Sequence, residues 1–162
     1  MYCTRDLDAA KEYCKNRYAE EPNKKYGLLA SSKGAGLFIY GINNAPEYTM
    51  KVDKGKWFNA PSTDPKSCCS FKNTITEFDI QGLELDMPII AWAKDMIWDG
   101  EKWLKYKRYQ DENSDTNVFR RNSYRVLLTR GRDGFIIFVP HKPKKLDLVY
   151  EMLLKSGIKE LM

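Results

Sequence analysis

The sequence lacks any hydrophobic run long enough to cross a membrane. Its longest apolar stretch covers only positions 87–93 (MPIIAWA) and contains Pro88, whereas a membrane-spanning helix needs about 20 apolar residues. The N-terminal residues never reach a hydrophobic segment of the kind that directs secretion. We therefore expect no membrane helix and a cytoplasmic location.

Histidine is nearly absent, and the cysteines lack metal-binding spacing. The single histidine, His141, restricts any Ser-His-Asp triad or histidine metal site to one position. Cys68 and Cys69 are adjacent, and none of the four cysteines forms the C-x-x-C pattern of zinc and redox sites. The sequence therefore predicts free thiols and no metal site.

The sequence also lacks a phosphate-binding loop. The stretch 34–41 (GAGLFIYG) is rich in glycine, but Ile39 stands where a dinucleotide fingerprint needs its third glycine. Gly41 completes a P-loop spacing, yet Ile42 and Asn43 follow it in place of Lys and Ser or Thr. No apolar run leads into Asp-Glu, so a Walker B carboxylate is missing as well. We expect this polypeptide not to hydrolyse a nucleotide by itself.

The composition is that of one folded domain. The chain has 162 residues, 43% of them hydrophobic and 13% aromatic, and a domain of this size buries roughly 70% of its unfolded surface. Lys and Arg number 27 against 22 Asp and Glu, for a net charge of +5. That charge is compatible with a phosphate-bearing partner but does not require one. We predict a single domain over 1–162.

Alternating helices and strands predict an α/β fold. Three runs are apolar on both faces, as expected of strands buried in a parallel sheet: Tyr26–Ala30, 88–93 and 135–139. Helical spacing of apolar residues predicts three helices: about 6–20 capped by Thr4 or Asp6, about 118–129 capped by Ser114 or Asp115, and one from about 146 that Gly157 ends.

Two segments interrupt this pattern. Positions 43–73 are rich in Pro, Lys, Asp and Ser with Trp57 and Phe58 embedded, which predicts a long irregular excursion held by aromatic side chains. Asp99 and Gly100 lie between two apolar runs and predict a two-residue type I′ turn, hence a β-hairpin over about 95–109. The predicted fold is an open, mostly parallel sheet with helices on both faces and an inserted hairpin.

In such folds ligands bind beyond the carboxyl ends of the strands. We therefore expect the chemistry in the loops after Ala30, before Pro88 and before Phe135. Five of the eight arginines lie within thirteen residues near these loops: Arg120, Arg121, Arg125, Arg130 and Arg132. A guanidinium suits phosphate oxygens, although a solvated helix face would explain the same cluster.

Acidic and apolar residues alternate over 76–86 (TEFDIQGLELD). Glu84 could accept hydrogen bonds from a ribose hydroxyl, Thr76 and Gln81 could donate to phosphates, and Gly82 would allow a ligand to approach the backbone. The alternative is a capped loop with acids on its surface.

The predicted hairpin is rich in both aromatic and basic residues. Bases could stack on Trp98 and Trp103 while Lys105 neutralises a phosphate, as in single-strand binding. The alternative is that these rings pack across the hairpin.

Two of these segments, in this order, resemble helicase motifs. Segments 76–86 and 125–132 (RVLLTRGR), the second followed by a strand, look like motifs V and VI of superfamily 1 helicases. With 4–7 (TRDL) and 26–32 (YGLLASS), they resemble the C-terminal part of the schlafen group 3-like DNA/RNA helicase family. The resemblance implies a second RecA-like domain.

The resemblance also implies roles for individual residues. Arg130 would be an arginine finger that reaches the γ-phosphate, and Glu84 would bind the ribose. Gln81 and Gly82, to which we add Arg132, would lie near the nucleotide, and Thr76 would face the nucleic-acid track. ATP and Mg²⁺ would be shared with an N-terminal RecA-like domain that bears Walker A and B, in the same protein or a partner chain. DNA or RNA, as a single strand, would be the second partner.

Two other functions compete with this one. The chain could be a nucleic-acid-binding or adaptor module that keeps the RecA-like fold without motor activity. It could also be a small nuclease or other hydrolase in which four carboxylates hold a metal: Asp79, Glu84, Asp86 and Asp95.

Overall fold

A computed structural model describes residues 1–104 and 116–162 of the protein. The described strands are β1 (Tyr2–Thr4), β2 (Tyr26–Ala30), β3 (Thr74–Thr76), β4 (Met87–Ala91), β5 (Ile136–Phe138) and β6 (Lys159–Glu160). They form one sheet in the order β3-β2-β4-β5-β1-β6, and every pairing in it is parallel. The predicted α/β class with an open parallel sheet is confirmed, and the arrangement is consistent with a RecA-like fold.

Five α-helices lie in the described residues: α1 (Leu7–Arg17), α2 (Pro46–Thr49), α3 (Lys54–Asn59), α4 (Thr116–Leu128) and α5 (Leu146–Lys155). Helix α1 contacts β1, β4 and β5, and α5 contacts β1. The central strands β2, β4 and β5 are buried along their whole length. Because a strand buried on both faces needs apolar side chains at every position, their continuous hydrophobic runs identified them.

Helix α1 is shorter than the predicted 6–20. It starts after Asp6, whose carboxylate accepts the backbone N–H groups of Asp8 at 2.8 Å and Ala9 at 3.0 Å. The hydroxyl of Thr4 accepts the N–H of Asp6 instead, so Asp6 is the cap. The helix ends at Arg17, where Tyr18 leaves helical geometry and buries its ring. For α4 the predicted caps, Ser114 and Asp115, lie outside the described residues.

Three strands escaped the sequence prediction because they are short and carry polar residues. Strands β1 (YCT) and β3 (TIT) have three residues each and β6 (KE) has two. A period of two cannot be recognised over so few positions, and buried threonines hide the apolar pattern. Their placement depends on the neighbours with which they pair.

The excursion at 43–73 is irregular, as predicted. It contains the short helices α2 and α3 and a 3₁₀ turn at Cys68–Ser70. Trp57 is completely buried and lies against Gly27 of β2, where an added Cβ would come within 3.0 Å of the indole. Trp57 therefore attaches the excursion to the sheet, and Phe58 also packs against the core.

The hairpin forms, but its predicted turn is wrong. Trp98 pairs with Trp103 in an antiparallel bridge, so the connection has four residues rather than two. Gly100 has a φ of +109°, whereas Asp99 keeps a negative φ and cannot complete a type I′ turn. The Asp99 carboxylate instead accepts the backbone N–H groups of Glu101 at 2.9 Å and Lys102 at 2.8 Å. Positions 105–109 of the predicted hairpin lie outside the described residues.

The parallel sheet has a carboxyl edge, where the strands end, and an amino edge, where they begin. The loop after Ala30 lies at the carboxyl edge, whereas the loops before β4 and β5 lie at the amino edge. The expectation that all three loops meet at one edge is therefore wrong, because parallel strands send the segment before a strand and the segment after it to opposite ends. Any chemistry on the chain is divided between two edges.

None of the helices in 1–104 and 116–162 combines the length and the apolar character that crossing a bilayer requires.

We expect Asp6→Ala to lower the free energy of unfolding by about 1 kcal/mol, because it removes the side-chain acceptor of the two N–H groups at the start of α1. Urea unfolding followed by circular dichroism measures this. Glu12→Ala is the matched control on the same helix: it removes only a surface ion pair with Lys15, which is worth well under about 1 kcal/mol. Equal effects of the two substitutions would contradict the capping role.

Candidate functional site

At the amino edge, backbone hydrogen bonds join the two helicase-like segments. Leu85 forms a parallel bridge with Gly131. The Leu85 N–H donates to the Arg130 carbonyl and the Arg132 N–H donates to the Leu85 carbonyl, both at 2.8 Å. A third bond, 2.9 Å long, runs from the Asp133 N–H to the Asp86 carbonyl. Segments 84–86 and 130–133 thus form one short ladder ahead of β4 and β5.

The ladder brings three of the predicted nucleotide-binding side chains to the same edge. The Arg132 Nε lies 3.2 Å from the Glu84 carboxylate, and the two side chains are 57% and 55% exposed. Arg130 is half-buried, and its guanidinium is anchored to the end of α4 through Nε to the Val126 carbonyl and Nη2 to the Thr129 hydroxyl, at 3.1 and 3.2 Å. Within the described residues Arg130 has no carboxylate partner.

Below the ladder, a charged cluster holds the amino edge together. The Lys24 ammonium lies between the carboxylates of Asp86 at 3.2 Å and Asp133 at 3.0 Å. Hydrogen bonds to these two groups raise the pKa of Lys24 to about 12. The Tyr18 hydroxyl also donates to Asp133, and the bonds from Lys24 and then Tyr18 hold the pKa of Asp133 below its usual value.

Gln81 and Gly82 lie on the exposed turn that leads to Glu84. The turn is closed by the Leu83 N–H bonding the Ile80 carbonyl at 3.0 Å. Gly82 has a φ of +81°, and nothing lies within 4 Å of where its Cβ would be. The glycine is therefore required by the turn, and the backbone there is open on one side.

At the carboxyl edge, Thr76 is turned inward. Its side chain is buried, and its hydroxyl donates to the Asp79 carboxylate at 2.9 Å. The same carboxylate accepts the Thr76 N–H and pairs with Lys54 of α3 at 3.3 Å. In this arrangement Thr76 shapes the loop that follows β3, and its hydroxyl does not face solvent.

The hairpin tryptophans pack against each other and against the domain. Trp103 lies edge-on to Trp98, with centroids 5.3 Å apart, and stacks on the buried Trp92 at 5.9 Å. Both hairpin rings are half-buried, so each keeps part of its surface for a ligand. Lys105, the third predicted strand contact of the hairpin, lies outside the described residues.

A buried polar network at the carboxyl edge was not foreseen from the sequence. The Asp95 carboxylate accepts hydrogen bonds from Ser31 at 2.6 Å and from the Tyr124 hydroxyl at 2.9 Å. Arg120, only 9% exposed, lies 3.6 Å from Asp95 and 3.9 Å from the buried Glu77. Glu77 in turn accepts both the N–H and the hydroxyl of Ser32.

This network connects the ends of β2, β3 and β4 to helix α4. The sequence does contain a sign of the network, because polar residues follow each of three buried strands. Side chains of neighbouring parallel strands meet at that end of the sheet. What the sequence could not show is which arginine reaches them. Burial of the Tyr124 ring raises the pKa of its hydroxyl well above the usual value, so Tyr124 stays protonated and donates to Asp95.

The arginine cluster is split between the two edges. Arg120 belongs to the buried network, whereas Arg130 and Arg132 lie at the ladder. Arg121 and Arg125 are on the exposed surface of α4 between them. A helix rises about 1.5 Å per residue, so Arg120 lies about 12 Å from the end of α4 at Leu128, and Arg130 lies beyond that end. Proximity in sequence therefore did not produce one anion site.

The four carboxylates of the nuclease hypothesis do not meet. Each has a different set of partners: Asp79 bonds Thr76, Glu84 pairs with Arg132, Asp86 with Lys24, and Asp95 with Ser31 and Tyr124. In the part of the chain that the structure describes, no three His, Cys, Asp or Glu side chains are grouped to hold a metal ion. The arrangement gives the nuclease hypothesis no support.

The fold and the two edges define a parallel α/β domain with helicase-like segments joined at the amino edge. A family model described as "Schlafen group 3, DNA/RNA helicase domain" matches residues 1–141. The chain therefore belongs to the schlafen group 3 DNA/RNA helicase domain family. No curated protein and no solved structure matches the chain.

We expect Arg120→Met to destabilise the protein by about 3–5 kcal/mol, because it leaves the buried carboxylates of Glu77 and Asp95 without a cation. Chemical denaturation at neutral pH measures the loss. Arg125→Met, a change on the exposed surface of the same helix, should cost less than about 1 kcal/mol. Similar losses for both variants would show that the network does not stabilise the fold.

We expect Gly131→Ala to weaken the ladder. An added Cβ would clash with the Gly134 carbonyl oxygen and lie 2.9 Å from the Pro88 ring, so the backbone must move, at a cost of about 1–3 kcal/mol. Gly55→Ala in α3 is the control, since its Cβ would have only ordinary contacts and alanine favours helix. Unfolding midpoints should fall for Gly131→Ala and hold or rise for Gly55→Ala; an unchanged midpoint for Gly131→Ala would contradict the steric argument.

Proposed function

We propose that this chain is the C-terminal half of a nucleic-acid-dependent ATPase or helicase and supplies the arginine finger, Arg130. Membership of a helicase-domain family supports the general class. The particular role is supported by one observation above all: the ladder holds Arg130, Arg132 and Glu84 at the same exposed edge. The neighbouring domain would meet the chain along this edge.

Arg130 has the properties that an arginine finger needs. Two of its nitrogens are fixed to the end of α4, which limits the entropy lost when the side chain engages a phosphate. Its Nη1 has no hydrogen-bond or ion-pair partner among the described residues. A cation held in place in this way can stabilise charge that develops on a transferred phosphoryl group.

Glu84 is suited to bind a ribose. Its pair with Arg132 is more than half exposed, and exposed pairs contribute only about 0–1 kcal/mol. A ribose hydroxyl could therefore take over one carboxylate oxygen at little cost, leaving the Arg132 guanidinium to contact phosphate. Gln81 and Gly82, on the open turn before Glu84, would contribute amide groups to the same nucleotide.

The remaining parts of the site would come from an N-terminal RecA-like domain. The chain has no Walker A lysine, and its described residues offer no cluster of metal ligands. ATP and Mg²⁺ would thus be held mainly by the Walker-bearing domain, in the same protein or a partner chain. The role of this chain would be to close over the nucleotide with Glu84 and the two arginines.

The nucleic acid would bind away from the nucleotide, at the carboxyl edge. The Thr76 loop lies there, and Trp98, Trp103 and Lys105 of the hairpin would offer rings and charge to a single strand. Because the Thr76 hydroxyl is bonded to Asp79, contact through it would require that bond to break, so the backbone of the loop is the more accessible partner.

The test is ATP hydrolysis by the chain reconstituted with its Walker-bearing domain, in the presence of Mg²⁺ and a single-stranded oligonucleotide. We expect Arg130→Ala to lower kcat by about 10³ to 10⁵-fold with little change in KM, because the finger acts mainly in the transition state. Arg125→Ala, at an exposed position of α4 one turn earlier, should leave kcat nearly unchanged.

Two results would contradict the proposal. Equal rates for the wild-type protein and Arg130→Ala would show that Arg130 is not the finger. Mg²⁺-dependent turnover by the 162-residue chain alone, if a substitution in this chain abolished it, would show that the active site is complete without a second domain.

A further inference from the structure

The excursion between β2 and β3 contains a basic pocket that the helicase motifs do not explain. The pocket has a volume of about 420 Å³ and is formed by α2, α3 and the start of the edge strand β3. Four lysines line it: Lys51, Lys56, Lys66 and Lys72. Among the described residues that line it, Asp53 is the one carboxylate, so the lining carries a net charge of about +3.

The lysines of this pocket form no ion pair in the part of the chain that the structure describes. All four are exposed, and in residues 1–104 and 116–162 none of their ammonium groups has a carboxylate partner or a hydrogen bond. The one carboxylate on the pocket wall, Asp53, already caps α3 by accepting the Lys56 N–H at 3.0 Å. Four like charges gathered around a concave surface repel one another, and a polyanion would relieve that repulsion.

The other wall residues suit a nucleic-acid strand. Tyr48 is 53% exposed, and the Lys51 ammonium lies 6.0 Å from the centroid of its ring. A ring beside a lysine can stack a base while the charge meets the adjoining phosphate. Asn43 and Asn73 also line the pocket, and a side-chain amide can bond a phosphate or a base edge.

The position of the pocket agrees with such a partner. Thr74, which lines the pocket, lies two residues before Thr76, a distance of about 7 Å along a strand. Lys54 of α3 pairs with Asp79, which also holds Thr76. The pocket wall and the loop after β3 are therefore parts of one connected surface.

We propose that this lysine pocket binds the phosphate backbone of a single-stranded nucleic acid, with Tyr48 stacking one base. The inference rests on the proposed function in that it requires a nucleic-acid partner, but it involves residues outside both helicase motifs. It assigns to the excursion the role of extending the strand-binding surface along the side of the sheet.

The test compares two charge-matched variants of the chain. The pocket variant carries Lys51→Gln, Lys56→Gln, Lys66→Gln and Lys72→Gln. The control variant carries glutamine at four exposed lysines of α5, β6 and the turn before α5: Lys144, Lys145, Lys155 and Lys159. Binding of a fluorescein-labelled 20-nucleotide single strand is followed by anisotropy over a range of salt concentrations, and thermal unfolding checks that both variants fold.

We expect the pocket variant to bind the oligonucleotide at least about tenfold more weakly than the control variant. The slope of log K against log salt should be shallower than that of the control by at least about 1.4, the value for two lost phosphate contacts on a single strand. Tyr48→Leu should weaken binding about fivefold or more, whereas Tyr48→Phe should not, because stacking requires a ring.

Three outcomes overturn the inference. Equal affinity and equal salt slope in the pocket and control variants would contradict the proposed role of the pocket and leave the proposed function of the chain unaffected. Pyrophosphate binding is measured on the same variants by calorimetry. If the pocket variant loses it while binding of the single-stranded oligonucleotide is unchanged, the pocket is a site for small phosphates. Failure of the wild-type chain to bind the strand at all would contradict the nucleic-acid part of the proposed function as well, which distinguishes the two failures.

Discussion

The arrangement of the amino edge depends on the backbone ladder between Leu85 and Gly131. These two residues belong to segments far apart in the chain, and each segment leads directly into a buried strand, β4 or β5. Once the two strands pair in register, the residues that precede them have to meet. At position 131 only glycine fits beside the Gly134 carbonyl, because any Cβ would clash with it. The exposed side chains of Glu84 and Arg132 are therefore positioned by the pairing of the buried strands β4 and β5.

A second constraint is the direction of the strands. Because every strand is parallel, a segment that follows one strand and precedes the next must cross from one edge of the sheet to the other. Segment 77–86 makes that crossing between β3 and β4. Its first residue, Glu77, takes part in the buried network with Arg120, while Glu84 lies at the ladder. One helicase-like motif therefore contributes to both edges, and α4 connects the same two edges a second time.

The sequence predicted features that depend on local pattern and missed those that depend on pairing. Strands β2, β4 and β5 could be predicted, and the cap of α1 limited to Thr4 or Asp6, because these signals are continuous or strictly local. Strands β1 and β3 and the Asp99 turn could not, since partner strands or a four-residue connection decide them. For the candidate site, the motifs pointed to Glu84 and Arg130, whose roles stay predictions, but did not show that Arg120, in the same arginine cluster, is a buried residue.

The buried network also restricts how binding at the carboxyl edge of the sheet could affect binding at the amino edge. Every buried side-chain nitrogen and oxygen in the described residues has a hydrogen-bond partner, and a fully satisfied network of this kind makes the residues that form it rigid. Tyr124 and Arg120 thus fix α4 to the sheet, and Arg130, which is anchored to the end of this helix, moves with it. If a nucleic-acid strand binds at the carboxyl edge and a nucleotide at the amino edge, their coupling would arise from motion of this whole domain against the Walker-bearing domain. Such motion requires no rearrangement inside the domain.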